Sequence, residues 1–356
     1  MPPQVLAALS RQVISHRSQA FADLMESVRT RLCKVVGARE LPVVLTSSGT
    51  GGLEACCANF TGPQGRVLLL TAGYYGDLFG RIAANHARSI DTLRAEPGSC
   101  IDVGRLETAL QATQYDAVLV THSESSTGVL NPLQAIAAAV RRYSSALLLV
   151  DGASSVAIAD VAFDAWGLDV LVTGTQKGLM APPGLSVVFM SGAARERLGQ
   201  SRSPSHYFDL ALALDRAKTH ATAFTPAVNL VYGLDAALEI LLGEGMAQVV
   251  RRHEAAASVC QRILQEAGLR LFARPECRAP GITSVCVPAG VLAENAQVFL
   301  EHEEGIPLSI GFDAWKSSVL RIGHMGWMAV DDVAAAARCI ARLDWDAMKP
   351  VQAGAA

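Results

Sequence analysis

Lys177 lies in DVLVTGTQKGLMAPPG, residues 169–184, where an apolar strand runs into small residues and a Pro-Pro-Gly corner stops any helix. A lysine set between glycine and apolar residues loses part of its hydration, which lowers its pKa and frees the amine to attack a carbonyl. Read alone, it would more readily be a lysine that snorkels out of a loop. Its possible partners lie elsewhere in the chain. Ser48, Gly49 and Thr50 sit in a glycine-rich turn between a short apolar strand and a helical stretch, an arrangement that aims free N–H groups at an anion. There is no GxxxxGK[ST], and Glu54 stands where a dinucleotide fingerprint needs its third glycine, so a single phosphate monoester fits best. Asp151 ends an apolar run and could hold a proton on a ring nitrogen, while Tyr75 offers a flat aromatic face. An anion turn, an aromatic plate, an acid and a partly dry lysine together match what pyridoxal 5'-phosphate requires.

The elements that must bring these residues together are predicted from hydrophobic spacing. Residues 1–37 read as a helical arm, with Phe21, Leu24, Met25, Val28 and Leu32 at helix spacing and Gly37 as a stop. Strand-sized apolar runs follow at 41–46, 67–71, 117–121, 146–150, 169–172 and 185–190, with helical stretches between most of them; Pro132 opens one of these. This succession predicts an α/β fold with a mostly parallel sheet and helices on both faces. Ligands collect at the carboxyl ends of such strands, and Ser48, Gly49, Thr50, Tyr75, Ser126, Asp151 and Lys177 each fall just after one. Beyond Gly245 the pattern changes to a long helix, short strands and further helices. The predicted division is a large domain over 1–243, a smaller α+β domain over 244–345, and a frayed tail over 346–356.

At 356 residues and 51 % hydrophobic content, the chain can bury a large core, and a net charge of -3 with scattered arginines gives no face for nucleic acid or an anionic membrane. No apolar run approaches the ~20 residues of a membrane span, and no secretory signal opens the chain. Eight cysteines at irregular spacing suit reduced thiols in the cytoplasm, and the histidines show no metal-ligand spacing, so no metal is expected.

The segments THSESSTGVLNPL, LLLVDGASS, GTQKGLMAPPG and VLRIG, in that order, resemble class V aminotransferases of fold type I, most closely the alanine–glyoxylate and serine–pyruvate branch. The resemblance covers nearly the whole chain. It implies a homodimer with active sites at the subunit interface, Lys177 as the Schiff-base lysine and proton carrier, Asp151 as partner of the pyridinium nitrogen, and Tyr75 as the stacking aromatic. It further implies phosphate contacts from Ser48, Gly49, Thr50 and Gln176, ring contacts from Ser126 and Ala153, and a reach by Thr225 to the phosphate of the neighbouring subunit. Arg321, which by itself would read as a surface ion-pair residue, matches the arginine that grips the substrate's α-carboxylate in two hydrogen bonds. Two positions depart from the family pattern. The Gly-Pro-Gly-rich opening segment has no counterpart before MPPQVLAAL, and Thr222 falls where close relatives often have a tyrosine.

The expected activity is transfer of an amino group from a small amino acid, of the alanine or serine type, to a 2-oxo acid such as glyoxylate or pyruvate. The same cofactor could instead serve a lyase or carbon–carbon bond-forming reaction. A catalytically idle scaffold is the third reading, and the intact Lys177, Asp151 and Arg321 speak against it.

Overall fold

The structure is a computed structural model that describes residues 1–200 and 204–349. The opening arm is two helices, Pro3–Leu9 (α1) and Gln19–Val36 (α2), where the spacing predicts one. Ser18 caps α2 by accepting from the Phe21 N–H, and Gly37 ends it at φ 67°, a left-handed conformation that glycine adopts freely. Val5, Phe21, Met25, Val28 and Leu32 are all buried, so the arm belongs to the core.

Strand and helix then alternate through Val43–Leu45 (β1), Gly49–Phe60 (α3), Arg66–Thr71 (β2), Tyr74–Ala83 (α4), Ser89–Arg94 (β3) and Val103–Ala112 (α5). They continue with Ala117–Thr121 (β4), a small hairpin of Ser123–Glu124 (β5) and Val129–Leu130 (β6), and Leu133–Tyr143 (α6). Next come Leu147–Asp151 (β7), Phe163–Trp166 (α7), Val170–Gly174 (β8), Ser186–Met190 (β9), Gly192–Gln200 (α8), Leu210–Ala217 (α9) and Val228–Glu244 (α10). The predicted loop-like passage at 201–208 lies partly outside the described residues.

The main sheet has the order β1-β9-β8-β7-β4-β2-β3. Neighbours from β8 through to β3 pair parallel, and β9 runs antiparallel to both β8 and β1. β1 therefore points the same way as β8, and the carboxyl ends of β1, β2, β4, β7 and β8 share one rim. Period-two side-chain alternation sends Leu68, Leu70, Val118, Val120, Leu148, Val150 and Leu171 into a core against α2, α6 and α10. Val67, Leu69, Ala117, Leu119, Leu147, Leu149, Val170 and Val172 enter a second core against α3, α4 and α9. Both faces are covered, which is why these strands read as unbroken apolar runs.

Met246–Glu266 (α11) leads to a three-stranded antiparallel sheet of Ile282–Cys286 (β10), Ser309–Ile310 (β11) and Val319–Gly323 (β12), ordered β10-β12-β11. Together with Ala293–His302 (α12) and Val330–Ala341 (α13), this sheet encloses a core of its own. The strand expected at 269–273 is reduced to a single bridge from Leu271 to Val285. Met348 is buried in that core, and residues 350–356, the rest of the expected tail, lie outside the described residues. Among the described residues no helix is long and apolar enough to cross a membrane.

Close backbone approaches fix the rim. A Cβ added to Gly178 would press into the Val156 carbonyl oxygen and come within 2.7 Å of Ile158 Cγ1 and 2.9 Å of the Ala157 oxygen. Gly178→Ala is therefore expected to destabilise the protein by about 1–3 kcal/mol, the cost of overpacking, measured as the urea midpoint; an unchanged midpoint would show that this segment is not tightly held.

Candidate active site

Each of the strand-end residues arrives at the rim by its own element. Asp151 is the last residue of β7 and is buried. Its Oδ1 accepts from the Ala153 N–H at 2.9 Å and its Oδ2 from the Thr121 hydroxyl at 3.4 Å. Burial pushes the carboxyl up to about 6, against the two hydrogen bonds and the charge of Lys177, while Glu124 adds to the rise. Lys177 follows β8 in a tight turn closed by the Met180 N–H on the Lys177 carbonyl at 3.0 Å. Burial holds its ammonium below the ordinary lysine range, the positive charge of Arg321 acts in the same direction, and Asp151 opposes both. Lys177 is thus brought within electrostatic reach of both Asp151 and Arg321.

Arg321 comes from the centre of the small sheet, on β12, and is buried. Its Nε donates to the Ile310 carbonyl at 2.6 Å and its Nη1 to the Ser125 carbonyl at 3.0 Å. The guanidinium lies 4.5 Å from the centre of the Phe312 ring, which in turn stacks on Tyr74 at 4.2 Å with planes 10° apart. Among the described residues no carboxylate forms an ion pair with it; the Tyr75 hydroxyl takes part of the remaining edge in a hydrogen bond, and the rest is open to an incoming carboxylate. Tyr75 stands beside it, in the first turn of α4 where the sequence predicts a turn, and burial raises its hydroxyl against the pull of Arg321.

The glycine-rich turn becomes the start of α3 at Gly49, where the sequence predicts a helix over 53–60. Ser48 is the N-cap and accepts from the Gly51 N–H, while the Gly49 and Thr50 N–H groups have no partner among the described residues. The missing side chain of Gly49 faces Gly174 and Ala153: a Cβ there would lie 3.7 Å from the Gly174 nitrogen and 3.9 Å from Ala153 Cβ. Gln176 folds its amide back toward Gly174. Ser48, Gly49, Ala153 and Gln176 therefore gather around one slot at the end of β8. The slot has two free donors and the field of a helix N-terminus, which fits the phosphate of pyridoxal 5'-phosphate; Asp151 and Lys177 lie on the same rim, where its ring and aldehyde would be.

Ser126 closes the rim on the β2 side, where its hydroxyl accepts from the Tyr74 N–H at 3.0 Å and donates to Glu124 at 2.6 Å. Thr225 stands apart. It is exposed and lines, with Arg17, Tyr207, Arg216 and Phe224, an open cleft of about 1000 Å³ that none of the other expected site residues lines. Residue reading missed Glu124, Tyr74 and Phe312. The Tyr74-Tyr75 doublet after β2 was a visible signal, whereas a lone acid in a polar run and a phenylalanine in a loop carried none.

The Aminotransferase class-V family profile matches residues 4–331. A protein of Synechococcus sp. named soluble hydrogenase, small subunit, is 34 % identical over 94 % of this chain and 88 % of its own. The L-aspartate–glyoxylate aminotransferase of Paracoccus denitrificans is 31 % identical over 99 % of this chain and 91 % of its own. Among solved structures, alanine–glyoxylate aminotransferase from Nostoc sp. superposes with a TM-score of 0.90 at 30 % identity, covering 96 % of this chain and 92 % of that one. The rim geometry and these likenesses agree, and the chain belongs to the class V aminotransferases, fold type I enzymes that move amino groups with pyridoxal 5'-phosphate.

Proposed function

We propose that this aminotransferase takes an amino group from a small amino acid, of the alanine or serine type, and passes it to a 2-oxo acid such as glyoxylate or pyruvate. The observation that carries the reading is Lys177 within electrostatic reach of both Asp151 and Arg321, the last with no ion-paired carboxylate among the described residues. Glyoxylate appears as acceptor in the names of both aminotransferases described above, and their donors differ. The lyase or carbon–carbon bond-forming alternative is not favoured by these likenesses.

When bound, the cofactor supplies a carbonyl for the amino group and a conjugated ring that accepts electrons from the substrate's α-carbon. Lys177 Nζ, whose proton is held less tightly because of burial and Arg321, can attack a carbonyl once deprotonated and can carry a proton to or from the α-carbon. Asp151 is placed to hold a proton on a ring nitrogen, since a cation there would relieve its own buried charge. The free edge of Arg321 takes the substrate carboxylate, with Phe312 and Tyr74 backing it. Ser48, Gly49, Thr50 and Gln176 would hold the phosphate, and Tyr75, Ser126 and Ala153 would contact the ring.

Three further points belong to the same proposal. The enzyme acts as a homodimer in which Thr225, exposed in its cleft, reaches the partner's phosphate site. It works in the cytoplasm, which the cysteine pattern supports. The chain divides near 243/244, supported by the separate core around the small sheet.

A panel of amino donors against 2-oxo acid acceptors, read as stoichiometric product, tests the reaction; activity confined to bulky or dibasic donors would sink the substrate proposal. Lys177→Ala is expected to lower turnover by at least about 10²- to 10⁴-fold, with circular dichroism showing the fold intact; an active variant would remove the assignment.

Asp151 gives a test by pH. Its folded carboxyl binds its proton more tightly than the ordinary 3.8, so its contribution to stability is full below about 3.8 and is lost as pH rises through about 6. Asn cannot ionise and escapes that loss. Cofactor-free Asp151→Asn is therefore expected to match the parent near pH 4 and to exceed it above pH 7 by about 3 kcal/mol at most. The loaded variant should turn over at least about 10²-fold more slowly. Parallel stability–pH curves for the two proteins would contradict the raised carboxyl.

A further inference from the structure

Two turns at the rim have the same make: a strand, a glycine, then a helix N-terminus. One runs from β1 into α3, the other from β2 through Gly73 into α4. Only the first has free donors. In the second, the carboxylate of Glu124, wholly buried, takes the Tyr75 N–H on Oε1 at 3.3 Å and the Gly76 N–H on Oε2 at 2.8 Å. Oε1 also accepts from the Ser126 N–H at 3.1 Å and from the Ser126 hydroxyl at 2.6 Å. That hydroxyl in turn takes the Tyr74 N–H at 3.0 Å. Space is as fully used as the donors: a Cβ on Gly73 would lie 2.8 Å from Glu124 Cγ.

Among the described residues no lysine, arginine or histidine forms an ion pair with Glu124. An acid buried in this way depends on its donors, on the positive end of α4 and on the charge of Arg321 beyond contact distance. We propose that Glu124 is a positioning residue, an internal anion that fills the α4 turn and so fixes Tyr75 and Ser126 as one wall of the cofactor site. The proposal rests on the functional reading above. It has a second consequence: with the α4 turn already filled, the α3 turn is left as the rim's only helix start with donors for a phosphate among those described here.

Glu124→Gln keeps the shape but turns one acceptor into a donor, which must face either the Gly76 N–H or the donors on Oε1. Its dissociation constant for pyridoxal 5'-phosphate is expected to rise at least about tenfold, the loss of one to two good hydrogen bonds. The induced circular dichroism of the bound cofactor should weaken. In the cofactor-free protein, amide exchange should speed up at Tyr75 and Gly76 and stay unchanged in β7. Glu124→Ala should show the same defects more strongly, and formate, a carboxylate small enough to enter the vacated space, should partly restore cofactor affinity where chloride does not. Wild-type affinity and dichroism in both variants, or exchange that rises equally throughout the sheet, overturns the proposal. A parent protein that shows no cofactor band overturns the functional reading instead, and exchange at Tyr75 and Gly76 then still decides whether Glu124 holds the turn.

Discussion

The buried charge of Asp151 is the constraint to which the rest of the rim answers. Its carboxylate sits at the end of a central strand with a backbone N–H and a hydroxyl for partners and no cation bonded to it. Two neutral donors do not offset the loss of water, and its pKa rises. A fold optimised for stability alone would place an apolar residue there, as it does at Val150 and Leu149. The arrangement becomes favourable only when a positive group arrives, and a protonated pyridine nitrogen is such a group. Lys177 and Arg321 show the converse: two basic groups held partly dry within reach of each other, each lowered by burial.

The strain of gathering these charges is borne by the sheet beneath them. Strands buried on both faces fix where each chain end emerges, and the connecting segments are pinned by contacts that admit only glycine. Gly52 lets α3 settle on Val172, where a Cβ would come within 2.7 Å of Cγ1, and Gly178 lets the turn after Lys177 lie on the Val156 carbonyl. Arg321 reaches the same place from the other sheet because its Nη1 is tied to the Ser125 carbonyl. The bond joins the small sheet to the polar loop after β4, a junction that the Ala279 N–H on the Gly128 carbonyl at 2.8 Å also holds.

Much of this was legible in the residues. Parallel strands buried on both faces announce themselves as apolar runs, so β2, β4, β7 and β8 and the polar residues that end them could be read directly. The edge strand β3 could not, since only Leu93 of SIDTLR is buried and nothing in its pattern separates it from a loop. The break between α1 and α2 was hidden because the helical spacing of α2 can be extended backward through residues that merely connect. In the site, Lys177 and Asp151 were marked by their places on strand ends. Glu124 was not, because what distinguishes it is the set of donors folded around it, and those come from α4, some fifty residues earlier in the chain. Arg321 was legible only through the family pattern, since its burial and its bonds to the Ile310 and Ser125 carbonyls are properties of the assembled structure.

The charges at the rim are also sorted in space, and the sorting favours one orientation of a dipolar ligand. The free N–H groups of Gly49 and Thr50 lie at the β1 end of the site, and the filled turn of α4 lies at the β2 end, with Glu124 taking every donor that the first turn of that helix offers through Tyr75 and Gly76. Asp151 stands on β7, between the two. A ligand with a doubly ionisable phosphate at one end and a protonatable nitrogen in its ring meets attraction in one placement, with phosphate on α3 and nitrogen at Asp151. Reversed, its phosphate would face two buried carboxylates in a low-dielectric setting, where like charges repel far more strongly than in water. The places of the carboxylates thus bear on a dipolar ligand's orientation as much as the free N–H donors do.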